Sequence, residues 1–251
     1  MHKVYTRLGE HLFEVTADSA TLMNRYAHRF TSDGVQSNAS ADMTVHLHGS
    51  FAALPTLSEF IISESASKSP FSRDSFHFDI SADLSTANLY LSDTSVLQEA
   101  FMTLYGSILL MRGWGLLIRA SSCLDSAERS HLLFDRASEE PGASPEAYLT
   151  LKIDSAGVRV FHWDTQNGRA QLDAAAHPAA SINLVRHAFL NRRLRTGRTR
   201  GLLRLLDRVS FWPHQTEETK RVLTLLQKLV HLVPVFDCDL RQSSRPEELI
   251  S

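Results

Sequence analysis

The chain has 251 residues, 43% hydrophobic and 22% charged, with a formal net charge of -2, which is ordinary globular composition and enough for one large domain or two small ones. With an isoelectric point near 6.6, the whole chain carries no nucleic-acid or membrane signature, and any such signal has to be local. The opening "MHKVYTRLGEHLF" lacks the apolar core of a secretion signal, and the longest apolar stretch, "SILLMRGWGLLIRA", is broken by Arg112 and two glycines, so the expectation is a soluble cytoplasmic protein with no membrane partner.

In chain order, Val4 and Tyr5, then Leu12, Phe13 and Val15, flank "RLGEH" as a hairpin. Leu22, Met23, Tyr26, Ala27 and Phe30 recur at helical spacing after Asp18 or Ser19 as cap. The stretch "DMTVHLHG" reads as a strand with His46 and His48 on one face; no third ligand lies nearby, so the pair reads as structural and no metal is expected. Seven serines between Ser58 and Ser75 mark a solvated loop around a short helix. A second hairpin alternates Phe76, Phe78 and Ile80 against Ala87, Leu89 and Leu91. The strongest helix begins at "DTSVLQEAFM", with Ser95 and Gln98 in a capping-box pattern and Arg112 and Gly113 at its end.

After it, "WGLLIRASSCL" and "SHLLFDR" read as strands around "DSAER", with Ser121, Ser122 and Cys123 in a buried stretch, and "EAYLTLKI" and "VRVFHWDT" as a hairpin around "DSAG". The two cysteines, Cys123 and Cys238, sit in predicted strands and read as buried, inert thiols. From Ser181 the pattern is read as helical, through "INLVRHAFLN", "RGLLRLLDRV" and "TEETKRVLTLLQKLVHLV", until Pro234 stops it and "VPVFDCDLR" closes as a strand with Phe236, Cys238 and Leu240 on one face. His131 with Asp135, and His162 with Asp164, have spacings that can be drawn as acid/base pairs but arise freely in a chain with 12 histidines.

The order of "RGWGLLIRASSCLDSAERSHLLFDR", a hairpin, helices and "LVPVFDCDL" resembles the HPr kinase/phosphorylase-like family, in particular its short bacterial relatives labelled serine kinase of the HPr protein. The resemblance covers roughly the last 140 residues and rests on order and hydrophobic pattern. It implies an α/β fold: a PEP carboxykinase-like core with a central mixed sheet flanked by helices at 113–251, preceded by a small α/β portion at 1–112, the two forming one compact unit. In those relatives a strand feeds a P-loop of the form GxSGxGKS/T, whose backbone N–H groups, lysine and hydroxyl hold phosphate and magnesium. The corresponding stretch here, between Phe134 and Tyr148, offers one glycine, Gly142, no lysine, and Glu139, Glu140 and Glu146. A new strand follows within about a dozen residues, leaving no room for the family's helix, and Arg119 stands where the family has a histidine.

The segment "LVRHAFLNRRLRTGRTRGLLRLLDRV" carries eight arginines against one acid, Asp207. Arginine suits planar, two-point recognition of carboxylate or phosphate. Arg200, Arg204 and Arg208 are expected on one helical stripe, opposite Leu202, Leu203, Leu205, Leu206 and Val209. The resulting expectation is a degenerate, non-catalytic HPr kinase-like protein without a cofactor, a binding or scaffolding module for a small protein or peptide. Its candidate contacts are Arg119, Arg192, Arg193, Arg195, Arg198, Arg200 and Arg204. The alternative is an enzyme or sensor that binds a phosphorylated small molecule through these arginines; nucleic-acid binding ranks third. Convergence of the arginines in a concavity favours the small ligand, and their spread over a convex helix face favours the partner.

Overall fold

A computed structural model describes residues 2–30, 40–49, 75–135, 148–164, 171–211, 216–241 and 248. The chain divides into two compact units, Met1–Tyr105 with Asp164–Leu172, and Gly106–Trp163 with Asp173–Ser251. Both are α/β, each built on a mixed sheet. No helix among the described residues is long and apolar enough to cross a membrane. The serine-rich stretch, apart from Ser75, and the segment at 136–147, with Glu139, Glu140, Gly142 and Glu146, lie outside the described residues.

The first unit contains β1 (His2–Leu8), β2 (His11–Ala17), α1 (Ala20–Phe30), β3 (Met43–Gly49), β4 (Phe76–Ile80) and β5 (Thr86–Leu91). Its sheet runs β1-β2-β3-β5-β4, with β2, β3 and β5 parallel and an antiparallel partner at each edge. Ser19 caps α1, its hydroxyl accepting from the Leu22 N–H at 3.2 Å. The buried Phe101 ring, on α2 (Leu97–Met111), meets Tyr26 at 5.0 Å and Phe30 at 4.7 Å between centroids. Such pairs add roughly 0.5–1.5 kcal/mol beyond the area they bury. The cap before α2 differs from expectation: Asp93 accepts from the Ser95 N–H and starts a 3-10 turn at Thr94–Val96, which feeds the α-helix. His46 and His48 do share a face of β3, and they are used locally, with Nδ1 of each ring 2.6 Å from the Thr16 hydroxyl and 2.8 Å from Asp18.

The second unit is assembled from β6 (Gly115–Arg119), β7 (Ser121–Leu124), β8 (Ser130–Asp135), β9 (Tyr148–Ile153), β10 (Val158–Asp164), β11 (Gln171–Ala188), β12 (Arg192–Arg195), α3 (Arg198–Leu206), α4 (Thr216–Leu232) and β13 (Val235–Arg241). The helix expected over "INLVRHAFLN" is instead the second half of β11. Ile182 and Leu184 point to one face while Asn183 and Val185 point to the other, and an apolar run flanked by parallel strands on both sides is what buried parallel sheet looks like in sequence. Pro178 is tolerated because the ladder shifts register between Ala179 and Ser181.

The strand expected over "WGLLIRASSCL" is two strands with different partners: β6 pairs with β9, and β7 with β8. Ser121, Ser122 and Cys123 are exposed or half-buried rather than buried, because among the described strands β7 pairs with β8 alone. β12 was not expected either, since it lies in the stretch read as helical; the three hairpins, α1, α4 and the closing strand fall where the pattern placed them, with Gly113 at φ +64 closing α2 and Gly157 closing the β9–β10 turn.

Candidate functional site

Strands β8, β11 and β13 run parallel, with Leu132, Ile182 and Val235 in one register row on a single face. Toward the amino ends this face is apolar and joins the buried core with α3 and α4 residues such as Leu205, Val222 and Leu226. Gly201 lets α3 approach β13, since a Cβ there would stand 3.0 Å from a Val235 methyl. Toward the carboxyl ends the same face becomes charged: Leu184 opposes Asp237 and Arg186 opposes Asp239.

At that edge lies a concavity of about 240 Å³. Phe134, Leu184, Val185 and Arg186 line it from β8 and β11, and Arg192 and Leu194 from β12. The α3 segment contributes Arg200, Arg204, Asp207 and Arg208, and β13 contributes Asp237 and Asp239. Five arginines against three aspartates leave the lining with an excess of positive charge. Two aspartates are already engaged. Arg186 holds Asp239 through both Nε and Nη2. Arg200 lies 3.4 Å from Asp237, whose carboxylate also accepts from the Thr196 hydroxyl at 2.9 Å. The Arg186 contact, reinforced by the charge of Arg192, holds the Asp239 carboxyl below the usual carboxylate range.

Of the arginines named from sequence, the structure brings Arg192, Arg200 and Arg204 to the concavity. Arg193 alternates to the opposite face of β12, where its guanidinium lies 4.0 Å from the Phe236 ring centroid and donates to the Ser181 hydroxyl. Arg195 and Arg198 line a different depression, beside Val230, His231 and Pro234. Arg119 does not line the arginine concavity. Its N–H donates to the Arg208 carbonyl at 2.8 Å and its guanidinium to that of Asp207, so it fastens the end of α3 to β6.

The expected helical stripe is also corrected. α3 ends at Leu206, so Arg208 lies beyond it, and Leu203 is exposed beside Arg204 rather than on the apolar side. Sequence reasoning missed Asp237 and Asp239, whose alternation with the buried Cys238 and Leu240 was the available signal.

The carboxylates of the two spacings drawn from sequence, Asp135 and Asp164, have side chains outside the described residues. His131 is buried, with Nδ1 2.8 Å from the Ser181 hydroxyl and Nε2 3.2 Å from Asp125. Serine, histidine and aspartate in a chain resemble a hydrolase relay in outline. Here Ser181 also accepts from Asn183 and Arg193, at 2.9 and 3.1 Å, and is 2% exposed, so both oxygen lone pairs are used and no substrate reaches it. The cluster ties β8, β11 and β12 together. His162 Nδ1 lies 2.9 Å from the Ser122 hydroxyl.

Chemically, the concavity offers guanidinium groups that can hold an anion, with three aspartates beside them. Its described lining has no serine, cysteine, histidine or lysine. It is smaller than the roughly 300–1,000 Å³ of drug-sized pockets, a scale suited to one small anionic group. Among the described residues, no group of three or more His, Cys, Asp or Glu is arranged to hold a metal ion. No family model matches the chain, and no curated protein matches it.

Proposed function

We propose that this chain is a non-catalytic, HPr kinase-like module that binds a small phosphorylated or carboxylated ligand in the arginine-lined concavity. The observation that carries the reading is the convergence of Arg186, Arg192, Arg200, Arg204 and Arg208 at the carboxyl ends of β8, β11 and β13. Open α/β sheets bind ligands at that edge, and guanidinium forks match phosphate and carboxylate oxygens. The HPr kinase-like ancestry is supported by the order of strands, hairpin, helices and closing strand, with Val235–Arg241 parallel to Gln171–Ala188. A protein or peptide partner is the weaker reading of this site, because five of the arginines line one concavity.

The test is a thermal-shift titration with inorganic phosphate, pyrophosphate, MgATP and MgGTP. A ligand at about a hundred times its dissociation constant adds ~2.7 kcal/mol, or roughly 5–10 °C for a chain of this size. The expected result is a shift with phosphate or pyrophosphate. A shift confined to nucleotide, dependent on magnesium, overturns the non-catalytic reading, and no shift with any of the four overturns the site.

A further inference from the structure

The connection from β11 to β12 is three residues long, Phe189, Leu190 and Asn191, and it crosses the end of β13, because β11 and β12 pair with opposite sides of that strand. Its base is fixed: the Asn191 side-chain oxygen accepts from the Arg241 N–H at 2.8 Å. Its tip is bare. Phe189 is 96% exposed and Leu190 76%, an unusual pairing of adjacent large apolar side chains presented to water. Exposed arginines flank the arch, Arg192 after it in the chain and Arg241 below it.

We propose that this edge docks on anionic lipid bilayers, with Phe189 and Leu190 entering the boundary between headgroups and acyl chains while Arg192 and Arg241 face the headgroups. Three observations select a bilayer. The apolar side chains stand on a protruding, anchored tip rather than in a groove, so they need a surface that yields to them. Basic residues on both sides supply the attraction that anionic leaflets exert on such tips. Toward the end of β13 that the arch crosses, the Asp239 carboxylate is neutralised by Arg186 and does not oppose the approach. Whole-chain charge of -2 hides this local surface.

The test uses the full chain and sedimentation with vesicles of phosphatidylcholine alone or with phosphatidylserine added, at low and high salt. The expected result is binding to phosphatidylserine vesicles that weakens with salt, and a loss of roughly tenfold or more in affinity for Phe189→Ser/Leu190→Ser. That variant is expected to keep the parent melting temperature and the parent response to pyrophosphate, which separates the bilayer surface from the soluble-anion site. Failure of the parent chain to bind phosphatidylserine vesicles at low salt overturns the proposal, as does unchanged binding by the double variant. A parent chain that self-associates through the tip, becoming monomeric in the double variant without any vesicle binding, overturns it too.

Discussion

Arg186 and Asp239 sit opposite one another on parallel neighbours β11 and β13 and meet through two guanidinium nitrogens. The pair keeps a carboxylate inside a site otherwise rich in positive charge, so it restrains anion binding while fixing the arginine fork. Asp239→Asn is therefore expected to raise pyrophosphate affinity about fivefold, the effect of one unit charge a few ångströms away in a solvent-like medium. Calorimetry on the variant checks this, and unchanged or weaker affinity would show that Arg186 must be held by Asp239 to work.

The arginines separate into those that face the concavity and those that do not. Arg192→Gln and Arg204→Gln are each expected to weaken pyrophosphate binding about tenfold, the scale of a charge-assisted hydrogen bond. Arg195→Gln and Arg198→Gln, which line the other depression, are expected to leave it within about twofold if their contribution is only screened, long-range charge. Equal losses in all four would mean that net charge, rather than geometry, binds the anion.

Gly106, on α2, packs against the segment that follows α3. A Cβ there would stand 1.9 Å from the Ser210 carbonyl oxygen, which is fixed by the neighbouring Ser210 N–H donating to Leu117. Gly106→Ala is expected to destabilise by about 3 kcal/mol or more, since backbone has to move. Gly197→Ala, where nothing lies within 4 Å, is the control, expected to change stability by less than ~1 kcal/mol. Urea denaturation of both variants measures the difference.

Acid sensitivity follows from aspartates whose pKa is depressed by hydrogen bonding. Asp125 is held well below the usual range, chiefly by the Arg129 N–H, with the Arg129 and His131 side chains adding to it. Asp154 is lowered by the Ala156 N–H and Asp239 by Arg186. A depressed carboxyl contributes stability that is fully present above its unfolded value, near 3.9, and is lost as pH falls through its folded value. These groups therefore give no loss of stability between about pH 7 and 5 and an increasing loss below about pH 4. Asp125→Asn should be less stable at neutral pH and show a shallower fall in acid; an unchanged acid profile would remove Asp125 from the account.

Much of the fold was legible because hairpins and amphipathic helices are written locally. Phe76, Phe78 and Ile80 alternate against Ala87, Leu89 and Leu91, and α4 ends at Leu232, just before Pro234, without reference to the rest of the chain. The second half of β11 was misread because a strand buried between two parallel neighbours loses the polar alternation that distinguishes it from a helix. The site was half legible for the same reason. Arginine density marked the segment, but reading Arg192, Arg193 and Arg195 as a block hid the alternation of β12, which sends Arg192 to the concavity and Arg193 onto Phe236. The relation of His131 to Asp125 and Ser181 joins positions up to 50 residues apart, beyond the reach of local spacing.

The register shift between Ala179 and Ser181 acts as the tuning peg of the whole edge. Everything downstream of it on β11 alternates from that point, so one residue more or fewer there would rotate Leu184 and Arg186 to the side now held by Asn183 and Val185. Asp239 would then stand opposite Val185 or His187 instead of its guanidinium partner, and the arch of Phe189 and Leu190 would lose its span across β13. A chain drifting in sequence could replace most arginines singly and keep a binding edge, but it cannot shift this count by one and keep any of it.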